Sequence, residues 1–166
     1  MEHAATRAVV PAASRAGPAR TGRVLEVGPG QGMLTRHLLA HQEDMTYAVE
    51  ADHDMVDYLQ QPYPQLQERL LFKDFLDLDL ASLFDGAEFS LIGNFPYNIS
   101  TQILFKMLDH TAQIPEMVGM FQKEVADRVV SKPGGRVYGI TSVLTQAFYT
   151  TEYLFTVEPG SFNPPP

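Results

Sequence analysis

Arg23-Val24-Leu25-Glu26-Val27-Gly28-Pro29-Gly30-Gln31-Gly32 is the stretch from which the rest of this chain can be read. Its first five residues have strand character, and the glycines follow with no spacer. Met33 to Ala40 then repeats its apolar residues at helical spacing, so the glycine turn lies between a strand and a helix. Glycine, lacking a Cβ, lets the backbone come close to a ligand. The spacing G-x-G-x-G also differs from the G-x-G-x-x-G of dinucleotide sites.

Working outward, Thr46 to Val49 reads as a second strand that ends on Glu50, 18 positions after Gly32. An acidic residue there is placed to accept hydrogen bonds from both hydroxyls of a ribose, the plainer alternative being a surface carboxylate. Asp54 to Gln61 reads as a helix stopped before Pro62, and Leu70 to Lys73 as a third strand followed by Asp74-Phe75-Leu76-Asp77. A fourth strand, Glu88 to Ile92, runs into Gly93-Asn94-Phe95-Pro96-Tyr97-Asn98-Ile99-Ser100. Pro96 ends that strand and pushes Phe95 toward an extended backbone, which turns the Asn94 amide and the Phe95 carbonyl into the same space. Two acceptors there suit an exocyclic amino group, and Tyr97 offers a ring for stacking, so the candidate ligand is adenine. Gly, Asn and Pro are equally the residues of an ordinary turn. Ser100 is expected to cap a helix with Ile103, Leu104, Met107 and Leu108 on one face. Glu116 to Phe121 follows as a strand, Gln122 to Val130 as a helix, Ile140 to Tyr149 as a helix and Tyr153 to Val157 as a strand. This alternation predicts a doubly wound, mostly parallel α/β sheet.

Taken together, Glu-Val-Gly-Pro-Gly-Gln-Gly over 26–32 resembles the first motif of S-adenosylmethionine-dependent methyltransferases, and Asn94-Phe95-Pro96-Tyr97 resembles the motif of enzymes that methylate adenine N6. With Gly93 and Asn98-Ile99-Ser100 as flanks, the chain from Arg23 to Pro166 is similar to the rRNA adenine dimethyltransferase family. The resemblance implies a Rossmann-like methyltransferase fold and dimethylation of adenine N6 in small-subunit rRNA, in ribosome biogenesis. It implies that S-adenosylmethionine lies across Glu26, Gly28, Gly30, Gly32, Glu50, Asp74, Phe75 and Asn94. Glu26 would meet the ammonium directly or through water, and Asp74 the cofactor's adenine amino group with Phe75 beside the ring. The target base would be held between Tyr97 and Phe162, the latter in a Phe-x-Pro-x-Pro pattern with Pro164 and Pro166. The alternatives are a 23S rRNA methyltransferase of the macrolide-resistance type, a non-catalytic ribosome-assembly or mitochondrial transcription factor, and, more distantly, a DNA adenine methyltransferase. Two family features are missing from the sequence: a Gln-x-Phe-Leu segment before the first helix, and a small helical domain after the Phe-x-Pro-x-Pro motif. The expectation is therefore weak cofactor binding and poor methylation relative to a complete protein.

Composition bounds the rest. Residues 1–22, rich in Ala, Arg, Pro and Gly, read as a poorly ordered arm with no role in the fold, leaving 23–166 as the catalytic domain. The net charge is −8, from 12 basic and 20 acidic residues, awkward for a polyanion partner. Lys123, Arg128, Lys132 and Arg136 nevertheless form a basic island and are the candidate RNA contacts. The partner expected is small-subunit rRNA or the precursor of the small subunit, met by a monomer. No apolar run is long enough to span a bilayer, so a cytoplasmic protein is expected, with an organelle left open. Cysteine is absent, which excludes disulfides. His37 and His41 sit four apart on a helix and Asp74, Asp77 and Asp79 lie close together, but methyl transfer needs no metal and none is expected.

Overall fold

A computed structural model describes residues 3–9 and 22–161. Its strands are β1 (His3–Val9), β2 (Val24–Val27), β3 (Thr46–Glu50), β4 (Leu70–Phe72), β5 (Ser90–Asn94), β6 (Glu116–Gln122) and β7 (Thr150–Val157). Its helices are α1 (Thr35–Gln42), α2 (His53–Gln60), α3 (Ser100–Leu108), α4 (Lys123–Val130) and α5 (Ile140–Phe148). The strands form one seven-stranded sheet in the order β4-β3-β2-β5-β6-β1-β7. From β4 to β6 every pairing is parallel, whereas β1 runs antiparallel to both its neighbours.

Parallel strands need helical crossovers that cover both faces, and the burial follows. Every residue of β2 is buried. On one face Leu25, Val27 and Val49 pack with Ile103, Leu104 and Met107 of α3 and with Ala126 and Val129 of α4. On the other, Ala48 packs with Leu39 of α1 and with Leu66. β3 serves both sides, because successive side chains of a strand alternate between faces. The doubly wound, mostly parallel sheet expected from the sequence is present.

The order of connection reverses between β2 and β5, which makes their adjacent ends the switch point where open α/β sheets hold ligands. Leu25 pairs with Leu91 and Glu26 with Ile92, so the glycine turn after β2 and the Asn-Phe-Pro-Tyr segment after β5 emerge side by side. That juxtaposition positions the site.

Three expectations are corrected here. Residues 3–9 belong to the sheet: β1 pairs along its length with β6 and with β7, so a boundary at 23 with a foldless arm before it does not hold for them. Composition hid this strand, because its order comes from ladder partners more than 100 positions away. The fourth strand extends beyond Ile92 through Asn94, because Gly93 and Asn94 continue the ladder opposite Gly119 and Met120 until Pro96 forbids it. Ser100 does not cap α3: it is the first helical residue, and its hydroxyl leans back on the Tyr97 carbonyl at 3.4 Å. A side-chain cap forms instead at Asp52 on α2, whose carboxylate accepts from the Asp54 amide.

Candidate active site

The glycine turn needs its glycines for conformation. Gly28, Gly30 and Gly32 all have positive φ, at 67°, 54° and 81°, where a Cβ is disfavoured. The turn is closed by a Gly32 to Pro29 hydrogen bond of 2.9 Å and anchored to the sheet by the Gly28 amide on the Val49 carbonyl at 3.0 Å. Beyond it α1 begins at Thr35.

Behind the turn lie two carboxylates with different surroundings. Glu50, at the end of β3, accepts the amides of Ala51 and Asp52 on one oxygen and the Gly30 amide on the other, at 2.9, 3.0 and 3.1 Å. Glu26, on β2, is 2% exposed, and among the described residues its carboxylate accepts only the Thr35 hydroxyl, at 2.7 Å. Burial, and secondarily the charge of Glu50, push the Glu26 carboxyl up to about 7, against the lowering effect of the Thr35 hydrogen bond.

The segment after β5 is held by its aromatic ring. Phe95 is buried, packs edge-on against Phe121 at 5.2 Å, and lies so close over Gly119 that a Cβ there would come within 2.3 Å of the ring. The Phe95 amide donates to the Met120 carbonyl at 3.3 Å. Asn94 is exposed, and neither its side chain nor the Phe95 carbonyl is engaged in a hydrogen bond among the described residues. Tyr97 stands out at 69% exposure. A cavity of about 560 Å³ opens between the two turns, lined by Glu26, Gly28, Gly30, His37, Asn94 and Met120 among others. That is within the usual size of a small-molecule site.

The structure thus brings Glu26, Gly28, Gly30 and Asn94 around one space, with Glu50 tied to its wall through Gly30. Gly32 belongs to the same turn, with its carbonyl accepting the Tyr63 hydroxyl at 3.2 Å. Asp74 and Phe75 stand apart, after β4, two strands from β2. Asp74 caps a short 3-10 turn through the Leu76 amide at 2.8 Å, and the Phe75 ring is packed in the core. Phe75 is 2% exposed, and the Lys106 ammonium lies 5.4 Å from its ring centroid. Phe162 lies outside the described residues. Of the basic island, Lys123 pairs with Asp127 at 3.0 Å, while Arg128, Lys132 and Arg136 are exposed. His41 contacts the His37 carbonyl, an ordinary helix-surface arrangement.

Sequence reasoning missed Thr35, the strand residues Val118, Gly119 and Met120, and Phe155, which all lie at this site or line it. The neighbours on β6 and β7 carried no motif. Thr35 had a faint signal, nine positions after the acid of the glycine turn.

The model of the ribosomal RNA adenine dimethylase family matches residues 7–166. The chain belongs to the ribosomal RNA adenine dimethylase family. A ribosomal RNA small subunit methyltransferase A from Cytophaga hutchinsonii is 55% identical over 143 residues, 86% of this chain and 55% of that protein. A dimethyladenosine transferase from Plasmodium falciparum superposes with a TM-score of 0.69 at 28% identity, covering 86% of this chain and 51% of the other. The 23S rRNA methyltransferase ErmE superposes with a TM-score of 0.54 at 26% identity over 65% of this chain and 42% of the other. The chain spans about half the length of the curated relatives it matches. The fold is the Rossmann-like one of S-adenosylmethionine-dependent methyltransferases, and the site of this dimethylase-family chain sits at the switch point of that sheet.

Proposed function

We propose that this chain carries the catalytic half of an enzyme that transfers methyl groups from S-adenosylmethionine to adenine N6 of small-subunit rRNA, giving N6,N6-dimethyladenosine. One observation carries the reading: Asn94 ends β5 on the cavity beside the glycine turn, and neither its side chain nor the adjoining Phe95 carbonyl takes a hydrogen bond among the described residues.

The donor set fits the cofactor. Glu26 puts a carboxylate within a cavity wide enough for a nucleoside with an amino-acid arm, and the glycine turn lets that arm approach backbone. Glu50 has room for about four hydrogen bonds and already accepts three, so a ribose that uses both its hydroxyls displaces the Gly30 amide. Asp74 and the Phe75 backbone, two strands away, remain the candidates for the far, adenine end.

When bound, the cofactor supplies an activated methyl group on a positively charged sulfur that is also a good leaving group. Residues of this chain do the rest by positioning. The target amino nitrogen is a weak nucleophile because its lone pair is delocalised into the base. Hydrogen bonds to the Asn94 oxygen and the Phe95 carbonyl turn the amino group and favour a tetrahedral nitrogen, freeing the lone pair. Such acceptors count most where charge develops in a water-poor site. Tyr97 gives the flipped base a surface to stack on, and Phe162 is the proposed opposite wall. Exposed Arg128, Lys132 and Arg136, with Lys123, are proposed to meet RNA phosphates.

Undermethylated small subunits incubated with the chain and cofactor should yield dimethyladenosine by mass spectrometry. Asn94→Ala should lower single-turnover transfer about 100-fold while leaving cofactor affinity within a few-fold. Equal transfer by variant and wild type would remove Asn94 from the mechanism. Mapping the modified nucleotide separates small-subunit from 23S specificity, and the 55% identity to a small-subunit methyltransferase favours the former. No described helix is long and apolar enough to cross a membrane, consistent with the proposal that the enzyme works in the cytoplasm.

A further inference from the structure

One buried contact at the site has no part in the mechanism above. Thr35 is the first residue of α1 and wholly buried, as is Ser100 at the corresponding start of α3. Ser100 turns back onto its own segment, whereas Thr35 reaches across to another element and donates to Oε2 of Glu26 at 2.7 Å. Oε1 of Glu26 takes no hydrogen bond among the described residues, and the residue lines the cavity.

We propose that Thr35 is the positioning residue of the cofactor site: its hydroxyl pins Oε2 of Glu26 so that Oε1 is presented to the cavity as the receptor for the ligand's ammonium group. This rests on the reading of the cavity as the S-adenosylmethionine site. A freely rotating carboxyl in so buried a place would lie protonated against the strand, because burying an unpaired charge is costly. The threonine hydroxyl favours the ionised form and fixes its direction together. The groups that face Glu26 from neighbouring elements are Glu50 of β3, which opposes ionisation, and His37 of α1 and Asn94 of β5, which line the same cavity. No cation among them is bonded to Glu26, so the charge it is built to meet is that of the ligand.

The coupling follows in sign. Near neutral pH part of the population holds Glu26 as the acid, and binding an ammonium selects the carboxylate, so a proton leaves on binding. Affinity therefore rises with pH as Glu26 ionises, up to the point where the ligand's own ammonium begins to lose its proton. Replacing Thr35 by valine removes the one interaction that lowers the Glu26 midpoint, so the whole profile moves to higher pH.

The test has two readouts on the chain. Carbon-13 NMR follows the Glu26 carboxyl with no ligand present in wild type, Thr35→Val and Thr35→Ser, and calorimetry follows S-adenosylmethionine binding from pH 6 to 8.5 in buffers of different ionisation enthalpy. Thr35→Val should raise the Glu26 midpoint by about half a unit or more and weaken binding several-fold relative to wild type at pH 7, with that difference closing toward pH 8.5; Thr35→Ser should restore both. An unchanged midpoint and an unchanged pH profile in Thr35→Val would overturn the proposal while leaving the cofactor reading intact. A moved midpoint with no cofactor binding by wild type at any pH would instead overturn the cofactor reading and the receptor role together. Should Thr35→Val not fold, proton release by wild type at pH 7 that persists undiminished in Glu26→Gln overturns it independently.

Discussion

Helices α3 and α5 have the same length, nine residues each, and bury opposite kinds of side chain. α3 turns Ile103, Leu104 and Met107 into the core. α5 buries Ser142 and Thr145 and leaves Ile140 66% and Phe148 50% exposed, with Val143 and Leu144 also outward. The difference shows two ways of holding a helix. α3 is held by apolar area removed from water. α5 is held by hydrogen bonds to the C-terminal end of α4, because the last carbonyls of a helix have no partner within it. Ser142 donates to the Arg128 carbonyl, and the Gln146 amide reaches both the Val129 and Ser131 carbonyls at 3.0 and 2.8 Å. Just past the helix, the buried Tyr149 hydroxyl reaches the Ile114 carbonyl at 2.8 Å and fixes the entry to β7.

The sharpest test of that contrast is a matched truncation. Leu104→Ala should lower stability by about 2–5 kcal/mol in urea unfolding, since the vacated volume lies in close-packed core. Glu26 is the buried polar group at the other end of the scale, and its effect depends on pH. Its folded midpoint of about 7 is raised from 4.5, so the acid form folds without penalty at low pH and stability is lost as pH rises through the folded midpoint. Glu26→Gln should therefore gain on wild type by roughly 3 kcal/mol between about pH 4 and pH 8, measured as unfolding free energy against pH. A parallel pair of curves would show that Glu26 is not desolvated. Gln146→Ala should cost about 1–2 kcal/mol by leaving two helix-end carbonyls short of a donor. Least of all, Leu144→Lys on the outward face of α5 should change stability by less than about 0.5 kcal/mol. A loss there as large as that of Leu104→Ala would mean that α5 packs by its apolar face after all.

The legible features were those made by near neighbours in the chain. Glycines between an apolar run and a helical repeat announced the turn after β2, and Pro96 announced the end of β5. Both halves of the site could therefore be named by residue number. Their meeting could not be: Glu26 faces Ile92 only because β2 and β5 pair, and the cavity takes Val118, Gly119 and Met120 from β6, which has no motif. The surroundings of Phe75 were hidden for a related reason. The family resemblance implied a cofactor contact for it, whereas a large ring follows the apolar space available, and here that space is the core.

What the order of residues determined alone was the parallel α/β class, the two turns and the acceptors at their tips, because turn chemistry and periodicity act over a few residues. Only the tertiary structure decided that His3–Val9 completes the sheet, that α5 shows its apolar side to water, and that Thr35 holds Glu26. Each of these depends on a partner distant along the chain, and a hydrogen bond or a buried face has no definite value until that partner is in place.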